Sequence, residues 1–246
     1  MMETLGIIDA SPHPSNPQSS PWGLIAAQRL AGRPLLEWVV RGALASSHLA
    51  RTVVLTSPRT LEFIRGLAPA QVEVIATRAI DPLARFAETA RSLQAQAVVN
   101  IHIDGPLVDA EAIDQLCQAA QGAASVDYLT WLPPHGATSA EQETCVEWVS
   151  ARALERADRS AVRPSERISP TRHMRGRPEA FELQYLPAPE PGEAIEFSWP
   201  KNGQANDDEC NALLLALANR RWDCSQIVAM LERQKAGLER LQHEAA

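Results

Sequence analysis

No stretch of this chain reaches the roughly 18 apolar residues that a bilayer-spanning helix needs, so no transmembrane segment is expected. Met1 to Pro14 contains no basic stretch followed by an apolar run, so no signal peptide is expected. Cysteine is sparse. The 4 present, Cys117, Cys145, Cys210 and Cys224, show no C-x-x-C spacing. That pattern argues against a zinc site or a disulfide framework and for reduced thiols in a cytoplasmic protein. Concentrated positive charge is missing too. Lys and Arg total 23 against 30 Asp and Glu, a formal net charge of -7, and no long basic cluster offers a nucleic-acid surface. Internal repeats and low-complexity tracts are absent.

What is present is ordinary for a soluble globular protein. The chain has 246 residues, 45% apolar and 22% charged, enough for a sizeable buried core. Short apolar runs at Thr4–Ala10, Thr52–Thr56, Val72–Ala76 and Ala97–Ile103 predict buried strands. Helical periods over Leu35–Leu44, Arg59–Leu67, Asp81–Leu93 and Ala110–Ala120 separate them. Strands alternating with helices imply right-handed crossovers and a mostly parallel sheet. Strands are also predicted at Asp127–Leu132, Cys145–Val149 and Phe181–Leu186, with a helix over Ala151–Arg159. Ser11–Pro21 is a proline- and serine-rich loop, and Pro187–Gly192 a proline-rich turn. Asp207–Asn219 is predicted as a helix, and Ser225 can cap a last one running to about Leu241. We divide the chain into one domain over 1–222 and a C-terminal helix over 223–246.

Three groups of residues could carry chemistry. The first closes the most strand-like run, at Asn100-Ile101-His102-Ile103-Asp104-Gly105-Pro106. Ligands of open parallel sheets bind beyond the carboxyl ends of strands. A carboxylate there can hold Mg²⁺ against a nucleotide's phosphates, and Gly105 lets a ligand approach the backbone. Asp104 is alternatively the start of a turn. His102 points to the same strand face as Asp104, as a metal ligand or as a packed residue. The second group is Asp81-Pro82-Leu83-Ala84-Arg85-Phe86. Here Asp81 can cap a helix and pair with Arg85 one turn on, or both can stand at the rim of a phosphate or sugar site. The third is Glu147, a charge inside a short apolar strand that needs a partner, with Glu166, Arg167 and the arginines that follow. That basic cluster either binds an acidic sugar or phosphate or is a solvated loop.

In order along the chain, these pieces resemble the nucleotide-sugar cytidylyltransferases of the spore-coat polysaccharide and CMP-sugar synthetase kind. Gly32-Arg33-Pro34-Leu35-Leu36 resembles their G-K-P-L-L, and Asp81 to Phe86 their D-V-L-x-R-[FY]. Ile103 to Asp109 is similar to G-D-x-P-L-I-D. Val146-Glu147-Trp148-Val149-Ser150 resembles V-E-V-F-S, and Ser165-Glu166-Arg167-Ile168-Ser169-Pro170 resembles R-E-H-V-T-P. The resemblance implies an α/β fold, a Rossmann-like α/β/α sandwich of the GT-A-like nucleotidyltransferase type. It further implies transfer of a cytidylyl group from CTP to a sugar or acidic sugar, release of pyrophosphate, assistance by Mg²⁺ and a homodimer. Asp104 takes the metal-binding and catalytic position, and Arg85 is the second catalytic candidate. Asp9, Gly23, Arg29, Asp81 and Gly105 are the nucleotide-binding candidates, and Glu147, Glu166 and Arg167 the sugar-binding ones. Two parts of the family pattern are missing. The basic loop A-R-x-x-S-x-R-L-P-G-K has no counterpart, because Asp9 to Ile25 contains no lysine or arginine. The second aspartate, of an L-T-V-D segment, is replaced around Glu196-Phe197-Ser198-Trp199-Pro200. The alternatives are therefore a catalytically silent relative that binds a nucleotide, sugar or partner protein, and a glycosyltransferase of the same fold. The latter lacks its D-x-D pair here.

Overall fold

A computed structural model describes residues 2–11, 25–30, 33–105, 108, 110–132 and 146–187. Residues 12–21 of the proline-rich loop, Gly23, Asp109, and the helices expected after residue 200 lie outside the described residues. Within them the elements run β1 (Thr4–Asp9), β2 (Arg29–Leu30), β3 (Arg33–Pro34), α1 (Leu35–Leu44), β4 (Arg51–Thr56), α2 (Leu61–Leu67), β5 (Glu73–Ala76), α3 (Pro82–Ser92) and β6 (Ala97–Ile101). There follow α4 (Ala110–Gly122), β7 (Tyr128–Trp131), β8 (Val146–Ser150), α5 (Ala151–Ser160), a 3-10 turn at Pro164–Glu166, α6 (Arg172–Arg175) and β9 (Leu183–Leu186).

Seven strands form one sheet in the order β5-β4-β1-β6-β8-β7-β9. All neighbours are parallel except β8, which runs antiparallel to both β6 and β7. Strand alternation sends side chains to two helical layers. On one face Ile8, Val54, Val99 and Trp148 pack with Leu36, Val39, Val40 and Leu116 of α1 and α4. On the other, Ile7, Val53, Val98 and Val149 pack with Leu83, Phe86, Leu154 and Ala157 of α3 and α5. Burial on both faces is why these strands are nearly continuous apolar runs rather than alternating ones. The α/β/α sandwich expected from the alternation is thus present. What periodicity did not reveal is the reversal of β8, and β6 stops at Ile101, two residues earlier than its apolar run. No described helix is long and apolar enough to cross a membrane.

Helix starts place the chemistry. Asp81 Oδ1 accepts the Ala84 amide at 2.9 Å, and Pro82 opens α3. Ser150 ends β8 and caps α5 by accepting the Ala153 amide at 3.1 Å, so strand passes to helix without a loop. Gly42 of α1 presses against the turn that follows β6: a Cβ there would stand 2.5 Å from the Val108 carbonyl oxygen. In an open helix interior Gly→Ala gains about 1 kcal/mol. Here Gly42→Ala drives a methyl into backbone and is expected to destabilise by about 1–3 kcal/mol in urea unfolding. A variant as stable as wild type would show that the 105–108 turn gives way freely.

Candidate active site

Because β1 and β6 are parallel neighbours in register from Thr4↔Ala97 to Ile7↔Asn100, Asp9 and the residues after Ile101 emerge at the same end of the sheet. An open cleft of about 450 Å³ lies there, its wall including Asp9, Arg85, Asn100, His102, Ser169 and Pro170. Asp104, only 5% exposed, sits just beyond β6. It lies in a turn in which the Gly105 amide donates to the His102 carbonyl at 3.1 Å and the Val108 amide to the Gly105 carbonyl at 3.2 Å.

Arg85 does not pair with Asp81. Its guanidinium crosses to β1, where Nε and Nη2 donate to Asp9 Oδ2 at 2.8 and 2.7 Å. Nη1 donates to the carbonyls of Ile80 at 3.0 Å and Ala79 at 3.4 Å. The other Asp9 oxygen accepts the Ser11 amide at 2.9 Å. The i,i+4 alternative at this motif is therefore corrected. Asp81 caps its helix as expected, but its ion partner is Arg167, whose Nε donates to Oδ2 at 2.9 Å. Arg167 also bonds the Asp158 carboxylate and the carbonyls of Asp158 and Ala161. It thereby ties the end of α5 to the start of α3. Glu166 is held in the same corner. Its oxygens accept from the Arg163 amide at 3.1 Å and Arg177 Nη2 at 2.8 Å. These bonds, Arg177 first, hold its pKa down to about 2. Within the 163–177 segment Arg167, Arg175 and Arg177 each stand in an ion pair with a carboxylate.

Glu147 is fully buried. It sits opposite Asn100 in the β6–β8 register, and three side chains donate to it. Tyr128 Oη approaches to 2.7 Å, Asn100 Nδ2 to 2.8 Å and Thr171 Oγ1 to 3.0 Å. His102 Nε2 and Arg175 Nε each stand at 3.6 Å. Burial pushes this carboxyl's pKa up, but His102, the Arg175 guanidinium and the Tyr128 hydroxyl outweigh it and hold Glu147 below the ordinary glutamate range. The same burial and the same carboxylate push the Tyr128 hydroxyl well above its usual value.

Of the residues expected at a site, the fold joins Asp9 directly to Arg85 and Asp81 to Arg167. It sets Glu147 beneath Asn100 and His102. Arg29 is exposed on the small β2–β3 ladder and is not among the cleft's described lining residues. Gly23 lies outside the described residues. Tyr128 and Thr171 were not anticipated; Asn100 and Arg175 stood in the expected groups, but neither was assigned to Glu147. Asn100 carried a signal, a polar side chain within a strand buried on both faces; Tyr128 and Thr171 carried none.

Residues 26–189 match the family model described as Cytidylyltransferase. Among curated proteins, the chain is 33% identical over 123 residues to a 3-deoxy-manno-octulosonate cytidylyltransferase of Bdellovibrio bacteriovorus, covering 49% of each. It is 36% identical over 88 residues to one of Chlorobium limicola, covering 36% of this chain and 35% of that one. The chain thus spans about half the length, or less, of these curated relatives. Among solved structures, a cytidylyltransferase from Leptospira borgpetersenii superposes with a TM-score of 0.69 at 17% identity, over 97% of this chain and 96% of that one. A CMP:2-keto-3-deoxy-manno-octonic acid synthetase complexed with CTP superposes at 0.59 and 13% identity, over 79% and 93%. At those identities the structures share the fold.

A carboxylate with a depressed folded pKa stabilises the protein above its unfolded pKa and loses that contribution as pH falls through the folded one. Glu147 and Glu166 both lie on that side, so stability is expected to decline as pH drops from about 4.5 toward about 2. Glu147→Gln puts an NH₂ among donors and leaves Arg175 uncompensated. Urea unfolding at pH 7 is expected to show a loss of about 3 kcal/mol or more, and melts from pH 7 to pH 3 a shallower acid limb. An unchanged acid limb would mean that Glu147 is not ionised in the fold.

Proposed function

The chain belongs to the cytidylyltransferase family, and we propose that it transfers the cytidylyl group of CTP to a sugar with release of pyrophosphate. In that reaction an acceptor hydroxyl oxygen bonds to the α-phosphorus as the bond from that phosphorus to the bridging oxygen of pyrophosphate breaks. The hydroxyl proton is lost, and pyrophosphate carries away the electron pair. One observation carries the assignment of place: Asp9, Asn100, His102 and Arg85 line a cleft at the carboxyl ends of β1 and β6, where ligands of such sheets bind. The acceptor class follows from the curated relatives, whose names specify 3-deoxy-manno-octulosonate, an acidic sugar.

Mg²⁺ belongs to this proposal. It keeps several waters and takes one or two carboxylates together with substrate phosphates. Among the described residues no group of three or more His, Cys, Asp or Glu forms a cage, so one carboxylate at a strand end suits that partly hydrated mode. Asp104 would hold the ion, which when bound neutralises phosphate charge. A homodimer through the 127–186 region, where β9 forms one edge of the sheet, and a cytoplasmic setting complete the proposal.

The Asp9–Arg85 pair favours a second possibility, a relative that binds without turning over. Arg85 is the one lysine or arginine among the described residues lining the cleft, and its charge is already met. Fixed cations aimed at a leaving pyrophosphate stabilise the transition state more than the ground state.

Pyrophosphate release with CTP, Mg²⁺ and a panel of acidic and neutral sugars separates the two. We expect release with an acidic sugar, slower than the typical enzyme range that begins at about 1 s⁻¹. CTP binding with no release from any sugar would select the silent relative. In calorimetry, Asp104→Asn is expected to weaken Mg²⁺-dependent CTP binding about tenfold or more with the melting temperature unchanged. Equal binding would leave Asp104 only a turn residue.

A further inference from the structure

Arg85 is 3% exposed, and its contacts are directed inward: Nε and Nη2 to Asp9 Oδ2, Nη1 to two carbonyls of the loop before α3. Asp9 is equally committed, with one oxygen on Arg85 and the other on the Ser11 amide. The carboxylate therefore withholds from the cleft both a guanidinium and a backbone N–H at the end of β1, two donor types that bind phosphate. Beside them the Ser11 hydroxyl, on a residue 2% exposed, has no hydrogen-bond partner among the described residues. An anion approaching this wall meets a compact ion pair, whose field falls off faster with distance than that of a lone cation.

We infer that Asp9 is a specificity-determining residue: by cancelling Arg85 it makes the cleft a poor receptor for a bare polyphosphate. The inference rests on the assignment of this cleft to the nucleotide. It differs from that assignment in its prediction, because removing the Asp9 charge should improve anion binding. Asp9→Asn keeps the shape and can still accept from the guanidinium, but leaves a buried positive charge uncompensated. An anion that enters then supplies the missing charge, and by linkage it stabilises the variant more than wild type.

The probe is inorganic pyrophosphate in EDTA, followed by calorimetry and thermal melts. Asp9→Asn is expected to melt lower than wild type without ligand, to bind pyrophosphate about tenfold tighter or more, and to recover melting temperature as pyrophosphate is added. The double variant Asp9→Asn/Arg85→Gln is expected to lose that gain, which ties it to the guanidinium. Pyrophosphate binding no tighter in folded Asp9→Asn than in wild type, or a gain that survives in the double variant, overturns the inference. Should Asp9→Asn not fold, wild type alone decides. Metal-free pyrophosphate binding as tightly as pyrophosphate with Mg²⁺ overturns it, and binding at least about tenfold weaker sustains it. Failure of CTP turnover alongside the gain in Asp9→Asn would remove cytidylyl transfer and leave the role of Asp9 standing.

Discussion

A carboxylate shut away from water must be surrounded by donors or give up its charge, and Glu147 is so surrounded. It lies in β8, the strand that reverses direction within the sheet, and touches side chains from three other places: Asn100 of β6, Tyr128 of β7 and Thr171 at the start of α6. The central strand that leads to Asp104 and the segment that supplies Ser169 and Pro170 to the cleft thus meet at one buried charge. Breaking such a constellation by removing one member is costly, because the remaining donors are left with nothing to bond.

Outside this hub, charges along the cleft end are used in pairs. Arg85 answers Asp9, Arg167 answers Asp81 and Asp158, and Arg177 answers Glu166. The only two lysines, Lys201 and Lys235, lie outside the described residues, so every fixed cation described is an arginine. Arginine's planar fork suits it to span two elements, and the pairs here each do so: β1 to α3, α3 to α5, the 3-10 turn to the end of α6. A neutralised guanidinium is a weaker lure for phosphate than a free one. The missing basic loop after β1 and the presence of Asp9 therefore act in the same direction, each lowering the positive potential where a triphosphate would lie.

Most of the layer structure was legible in the sequence. Ala97 to Ile101 is apolar on both faces except at Asn100, which marks it as a buried strand, and Asp81-Pro82 is a cap followed by a residue suited to a first helical turn. The alternation of such pieces leaves few topologies. The direction of β8 was not legible, since Val146 to Ser150 has the same pattern whichever way it runs. Pairings were the other gap. Asp81 and Arg85 stand one turn apart, which favours a local ion pair, yet Arg85 reaches a residue 76 positions away because α3 packs over β1. Spacing along a helix fixes which side chains are near one another, but tertiary packing decides which of several nearby charges is met. Glu147 was legible as a charge in need of partners. Their identity depended on the β6–β8 register, which no local pattern encodes.

The nucleotide is proposed to bind where β1 and β6 end, at Asp9, Asn100 and His102. A second, larger cleft of about 1350 Å³ opens at the opposite end of the sheet, beside Gln96, Val126, Trp148 and Arg152, so the two locations can be told apart. Hydrogen exchange with and without CTP and Mg²⁺ is the direct measurement. Binding at the proposed site predicts slowed exchange in residues 9–11, 79–86 and 100–105, with residues 120–127 and 148–152 unaffected. Slowed exchange confined to 120–127 and 148–152 would contradict it and move the ligand to the other end of the sheet.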